Sequence, residues 1–331
     1  MSSAHANKGA IFAALFANLG IAAIKLVAAL LSGSSALLSE GVHSLVDSSN
    51  ELLLLYGLRR ADARRDRQHP LGHGRELYFW SFIVALLVFA LGAGISLYEG
   101  VAHFRHPEVN RRPWLTYAVL AVSALFDGYS FSVAFAQFRR SKGKLSYLAA
   151  ILQSKDPTAF AVLLEDAAAL LGIGIATLGV LAAQIFEEPR LDGLASIGIG
   201  CVLAATAGLM ARECKALLIG ESASPELEAA LVALAARDPA VARVNGVLTF
   251  HLAPHQVVAA LSAAFANHLT TPEIEASVAR LEAVIRAAHP QIALLFLKPQ
   301  TSTAFAQSVL VRELVESDRE AAESAAIVGD R

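Results

Sequence analysis

Over the first two-thirds of the chain, apolar residues run in long blocks instead of alternating with polar ones. Blocks at 10–31, 35–58, 77–102, 114–138, 158–185 and 191–219 each reach the roughly 20 mostly apolar residues that cross a hydrocarbon core as a helix. Only Ser32, Gly33 and Ser34 separate the first block from the second, which predicts a tight hairpin of antiparallel neighbours. No A-x-A-like cleavage site follows the first block, so it reads as a span and not as a signal peptide.

After Glu221 the pattern changes. Ser224, Pro225 and Glu226 form an N-cap, an N1 proline and an acidic first turn, opening a helix Leu227–Ala236. Strands at Val241–Leu252 and Gln256–Ala266 follow. A helix then runs from Pro272 to Ala288, capped by Thr271 and closed by Pro290, and Ile292–Lys298 is a last short strand. The order α-β-β-α-β predicts a small α+β domain. The expected organisation is an all-α six-helix membrane bundle over 1–220, a soluble α+β domain over 221–300, and a polar tail over 301–331 with room for one short helix.

Composition agrees. The chain has 331 residues, 55% hydrophobic and only 17% charged, with a mean hydropathy of +0.52, too apolar for an ordinary soluble enzyme. A net charge of −2 argues against a nucleic-acid partner. Cys201 and Cys214 share one apolar block and make no disulfide framework. Basic residues are one-sided. Arg59, Arg60, Arg64, Arg65, Arg67 and Arg75 follow the second span, and Arg139, Arg140, Lys142, Lys144 and Lys155 follow the fourth. Only Arg105, Arg111, Arg112 and Arg190 lie on the other side. This bias puts both termini and the soluble domain in the cytoplasm. Met1–Lys8 is short and lacks Arg, so no transit peptide is expected and a bacterial inner membrane is the simplest location.

The chemistry lies in charges that such blocks should not contain. The second span carries Glu40, His43, Asp47, Asn50 and Glu51, spaced i, i+3, i+7, i+10 and i+11, hence on one helical face. His43 and Asp47 are one turn apart, about 6 Å along the axis, close enough to grip one ion together. Imidazole nitrogen with carboxylate oxygen suits zinc and its first-row neighbours; the structural alternative is a polar helix–helix contact. The fifth span adds Thr158 and two adjacent acids, Glu165 and Asp166, which would complete an oxygen-rich site if the helix faced the second. Lys25, Glu99 and Asp127 stand singly in spans one, three and four and read first as structural: Lys25 as a snorkelling side chain, Glu99 near the outer end, and Asp127 as lining the path or pairing with another helix.

The loop RRADARRDRQHPLGHGRELYFW (59–80), with SEGVHSLVDSSNE in the second span, resembles the cation diffusion facilitator family, which exports divalent metals. Asp156-Pro157-Thr158, AVLLEDAAALLG, DGLASIGIG and ALLIGESASPE match in order, so the likeness covers about residues 1–300. HPLGHGRE and VLLEDAAALLG look most like the subgroup that includes the mitochondrial zinc transporter of animals and its bacterial relatives. The resemblance implies a homodimer of six-helix protomers, each with a ferredoxin-like cytosolic domain, exchanging metal for protons across the bilayer.

In most of that family two residues of the second span and two of the fifth, spaced HxxxD or DxxxD, form the transport site. His43 and Asp47 match the first pair and Asp166 the last residue, but the fourth position is Val162. Either three protein ligands bind the metal with water, or Glu165 supplies the fourth; zinc is expected first, with manganese, iron, cobalt and cadmium as alternatives. Some relatives hold a second metal in the loop after the second span, where Asp66, His69 and His73 stand at matching positions; HPLGHG reads equally as a structural turn. The last strand lacks the ligands of a zinc site that some soluble domains carry, and His251, His255 and His268 are expected at the surface or in turns. The mechanism expected is alternating access with proton antiport: unperturbed imidazole titrates near pH 6.5, so protons compete with metal at His43. No cofactor is expected. Without an HExxH or a Ser or Cys beside a His, a carrier is favoured over a membrane-embedded metal-dependent hydrolase or a metal sensor.

Overall fold

The first hairpin turns on Gly33, whose φ of +76° lies in the left-handed region that favours glycine. It joins α1 (Lys8–Ser32) to α2 (Ser35–Ala61). The computed structural model describes residues 8–143, 146–152 and 154–308, and the chain splits after Ile219 into two units. Lys144 and tail residues 309–331 lie outside the described residues; 302–308 form a short helix.

The first unit continues with α3 (Arg75–Arg105), α4 (Pro113–Ser141), the short α5 (Tyr147–Leu152), α6 (Pro157–Ile185) and α7 (Arg190–Ile219). A π-helical turn at Val88–Ala93 interrupts α3. Among the described residues four helices are long and apolar enough to cross a membrane: Arg75–Arg105, Pro113–Arg140, Phe160–Ile185 and Arg190–Ile219, with mean hydropathies of 2.2, 1.6, 2.0 and 2.0. In α1 the apolar helix Asn18–Ser32 is shorter. α2 falls outside that group because its polar stripe, the feature that makes it interesting, lowers its hydropathy.

Small residues set the packing. Ala28, Ala29, Ala36, Ala93, Ala168, Ala176 and Ala195 join Leu37, Leu120, Ile199 and Leu203 in the largest buried cluster of this unit. A Cβ on Gly193 would lie 2.8 Å from the Phe104 N and 2.9 Å from the Gly100 O, so α3 and α7 touch backbone to backbone. Large side chains such as Leu30, Leu125, Tyr129 and Leu178 face outward, as a lipid-facing surface requires.

Asp192, at the start of α7, ties the bundle to α2. Its carboxylate accepts from Ser34 Oγ (2.9 Å), Ser35 N (2.6 Å), Ser35 Oγ (3.3 Å) and Ala36 N (3.4 Å). It therefore caps α2 from 157 residues away and places a negative charge at the helix's positive end. One turn further along, Ser196 hydrogen-bonds Ser39 and also donates to the Ser96 carbonyl at 3.0 Å, drawing α2, α3 and α7 together.

The second unit opens at Gly220 (φ +118°) and holds α8 (Pro225–Ala235), β1 (Val241–Ala253), β2 (Gln256–Phe265), α9 (Thr271–Ala288) and β3 (Ile292–Pro299). Ser224 caps α8, and Thr270 with Glu273 forms a capping box on α9, one residue before the expected Thr271 cap. β1 pairs antiparallel with β2 and β2 parallel with β3, in the order β1-β2-β3, with α9 as the crossover. Val257, Ala259, Leu261 and Ala263 point to one face, where they pack with Leu231, Leu281 and Ile285. On the other face Leu248, Ala260 and Phe296 share one register row, and Leu248 and Phe296 are exposed.

His255 and His268 are exposed at turns, but His251 is buried in β1, its Nδ1 3.3 Å from the Ala253 carbonyl. The expectation of a surface or turn position fails for it, because strand alternation carries it inward.

Asp192→Ala leaves buried donors at the α2 N-terminus without an acceptor and should cost about 2–3 kcal/mol, read as a lower thermal midpoint of the detergent-solubilised protein. Asp238 stands before β1 and reaches α9. Desolvation raises its carboxyl pKa, but hydrogen bonds from the Ala240 N–H, Arg280 and Ser277 outweigh this and hold it below the ordinary range. A depressed folded pKa contributes stability above the unfolded value that is lost as pH falls through the folded one. Protection factors of the β1 and α9 amides, corrected for the intrinsic pH dependence of exchange, should fall as pH drops below about 4, and Asp238→Asn should flatten that dependence.

Candidate metal centre

α2 is the organising element. Its 3.6-residue period turns Glu40, His43, Asp47 and Asn50 into the bundle, and Glu40, His43 and Asn50 are essentially inaccessible. His43 Nδ1 lies 3.3 Å from Asp47 Oδ1, one turn away. Both ring nitrogens of His43 and this Asp47 oxygen are buried and make no hydrogen bond. Buried polar atoms almost always have a partner, so this orphaned set asks for one the side chains around it do not provide.

The stripe's other members are held from neighbouring helices. Asn18 of α1 donates to Glu51 Oε1 at 2.7 Å. Asn50 donates to Glu165 Oε1 on α6 at 2.8 Å. Glu40 packs against Gly172, where any side chain would collide with its Oε1. Asp166 is turned the other way and accepts from Ser130 Oγ of α4 at 2.9 Å. Consecutive residues on a helix point about 100° apart, so these adjacent acids serve different neighbours. Val162 is partly exposed and contributes no polar atom. Asp47 nonetheless interacts electrostatically with Glu165, Lys25, Asp127 and Asp166.

The structure thus pairs His43 with Asp47 and couples Glu165 to α2, while Asp166 remains bound to α4. The four do not form one coordination shell. Among the described residues, the only group of three or more candidate ligands with atoms mutually within 4.8 Å is Asp66, His69 and His73. There Asp66 Oδ1 lies 3.1 Å from His69 Nδ1 and Oδ2 lies 3.3 Å from His73 Nε2, and the two rings sit 4.3 Å apart. The same carboxylate accepts from the backbone N–H groups of His69 (2.6 Å) and Gln68 (2.8 Å), chiefly the former holding its pKa below the usual range. At the end of the loop Glu76 receives Arg60 Nη2 and Trp80 Nε1, each at 2.9 Å. HPLGHG is therefore a hydrogen-bonded turn and, at the same time, a gathering of two imidazoles and a carboxylate.

Lys25 does not snorkel. It is fully buried between Glu40 and Asp127, 3.5 Å from each, and donates to Ser44 Oγ at 2.8 Å. Asp127, expected to line the path or pair with another helix, does pair with one; that its partner is Lys25 of another span was not legible from two lone opposite charges. Sequence reasoning missed Ser130 and Asp192, polar residues whose partners lie on other helices.

A family model for the cation efflux transmembrane domain matches residues 11–219. The mitochondrial proton-coupled zinc antiporter SLC30A9 of Xenopus laevis is 34% identical over 226 residues, 67% of this chain and 40% of that protein. Metal tolerance protein C4 of Arabidopsis thaliana is 30% identical over 215 residues, covering 64% and 47%. Magnetosome protein MamB of Magnetospira sp. (strain QH-2) is 27% identical over 191 residues, covering 58% and 60%. The chain spans about two-fifths of the SLC30A9 relative's length.

Two imidazoles and a carboxylate are a three-ligand zinc set with one open position. His73→Ala should remove one equivalent of zinc per chain in equilibrium dialysis with elemental analysis. Unchanged stoichiometry would leave the loop as a turn alone.

Proposed function

We propose a secondary active transporter that exports divalent metal cations, zinc first, in exchange for protons, proceeding from the premise that the chain belongs to the cation efflux family. The observation that carries this reading is the orphaned pair on α2: His43 and Asp47 present nitrogen and oxygen atoms, buried within the bundle and free of hydrogen bonds. Nitrogen and oxygen donors one turn apart suit zinc, with manganese, iron, cobalt and cadmium as lesser substrates. The names of the SLC30A9 relatives support both the ion and the proton coupling.

Asp166 completes the site by leaving Ser130 and turning toward α2, and Glu165 does so by leaving Asn50. Each exchange trades one hydrogen bond for a metal–oxygen contact, so a small displacement of α6 against α2 moves the ligands between a gathered and a dispersed arrangement. That is the local form of alternating access. Protons take the place of the metal on the same groups, because a ligand that binds metal must first lose its proton. The protein works as a homodimer of six-span protomers in a bacterial inner membrane with both termini cytoplasmic. The exposed Leu248–Phe296 row on the open sheet face of a ferredoxin-like domain suits a second copy.

In proteoliposomes containing a zinc-sensitive dye, a proton gradient should drive zinc flux. His43→Ala and Asp47→Ala should each lower it by about tenfold or more. Flux equal to wild type in either variant would remove that residue from the site.

A further inference from the structure

Among the described residues Lys25 is the one fully buried cationic side chain, and the space it enters is crowded with acids. Its ammonium bridges three helices: Glu40 and Ser44 of α2, Asp127 of α4, and its own α1. Its charge is felt at both His43 and Asp47. Asp127, which Lys25 holds, in turn acts on Asp47 and Asp166. An isolated ammonium in a bilayer core is expensive, and a structural bridge between helices would be made more cheaply by neutral polar groups. One lysine beside Glu40 and Asp127, within reach of Asp47, does something neutral groups cannot: it fixes how much negative charge an incoming cation meets.

We propose that Lys25 is a specificity-determining residue of the transport site, a cation tethered to the protein that offsets part of the acid charge around His43 and Asp47 and thereby sets how tightly a divalent ion is held and how readily it leaves. The inference rests on the carrier reading above. A transport site has to release what it binds, and several carboxylates in a medium of low dielectric would hold a doubly charged ion too strongly to let it go. Lys25 moderates that field without occupying the ligand positions. Because it contacts Glu40 and Asp127 and not the orphaned atoms of His43 and Asp47, it leaves the coordinating groups open.

The proposal makes two predictions of opposite sign, which a packing role does not. Zinc affinity is measured in detergent micelles by competition with a zinc-sensitive dye, in a His69→Ala/His73→Ala background that excludes the loop. Lys25→Met, of similar length without charge, should tighten binding by about tenfold or more and lower turnover in proteoliposomes. Asp127→Asn should weaken binding by a comparable factor. Lys25→Met/Asp127→Asn, which restores the net charge, should bind within a few-fold of the parent. Weaker or unchanged binding in Lys25→Met overturns the proposal, as does a shift of both single variants in the same direction. If Lys25→Met does not fold, Asp127→Asn and the double variant, which differ only in the Lys25 charge, still decide it through their relative affinities. Wild-type protein that binds zinc but moves none would defeat the carrier reading, while the affinity series would continue to judge Lys25.

Discussion

A charge that cannot reach water must be met by something the protein supplies, and that requirement arranges the membrane unit. The Asp192 carboxylate meets the N-terminus of α2. Lys25 meets Glu40 and Asp127, Asn50 meets Glu165, and Ser130 meets Asp166. Each contact joins two helices, and because apolar packing between helices in lipid is weakly directional, these contacts define which face turns inward. The glycines act alongside them: Gly172 admits Glu40, and Gly100 with Gly193 lets α3 and α7 meet at backbone distance. Against this background, buried atoms that make no hydrogen bond gather along the inward stripe, on Glu40, His43, Asp47 and Asn50 of α2 and on Asp127 opposite.

The sequence made some of this legible and concealed the rest, for identifiable reasons. Block length announced the long apolar helices, and the Ser32–Ser34 break announced the hairpin, because both are local properties of the chain. The stripe on α2 was equally visible, since helical spacing alone assigns Glu40, His43, Asp47 and Asn50 to one face. What the chain cannot show locally is which neighbour each face meets. Glu165 and Asp166 look like a pair in the sequence and are divided between α2 and α4 in space. Lys25 looks like a side chain reaching for the interface, and its partners are 15 and 102 positions away in the numbering of the chain. Asp192 looks like the opening of a helix and turns out to close the start of another.

The soluble unit repeats the lesson with a different period. Caps act locally, so Ser224 was readable as the cap of α8, while the capping box of α9 falls on Thr270 and Glu273, one residue before the expected Thr271. The order α-β-β-α-β was legible along the chain, while the antiparallel β1–β2 and parallel β2–β3 pairings appear only in the fold. For His251, position outweighs residue type. On a strand the inward or outward direction alternates, and an imidazole at an inward position is buried with its nitrogen near the Ala253 carbonyl.

The cap that Asp192 places on α2 makes that helix a lever with a fixed pivot. Ser34, Ser35 and Ala36 are fastened to α7, so a tilt of α2 swings the far end and barely moves the near one. His43 lies about 12 Å from the pivot and Arg59 about 36 Å, at 1.5 Å per residue. A tilt of about 10° therefore displaces His43 by about 2 Å and Arg59 by about 6 Å. Any tilt of α2 about that cap is thus magnified about threefold between His43 and the loop carrying Asp66, His69 and His73.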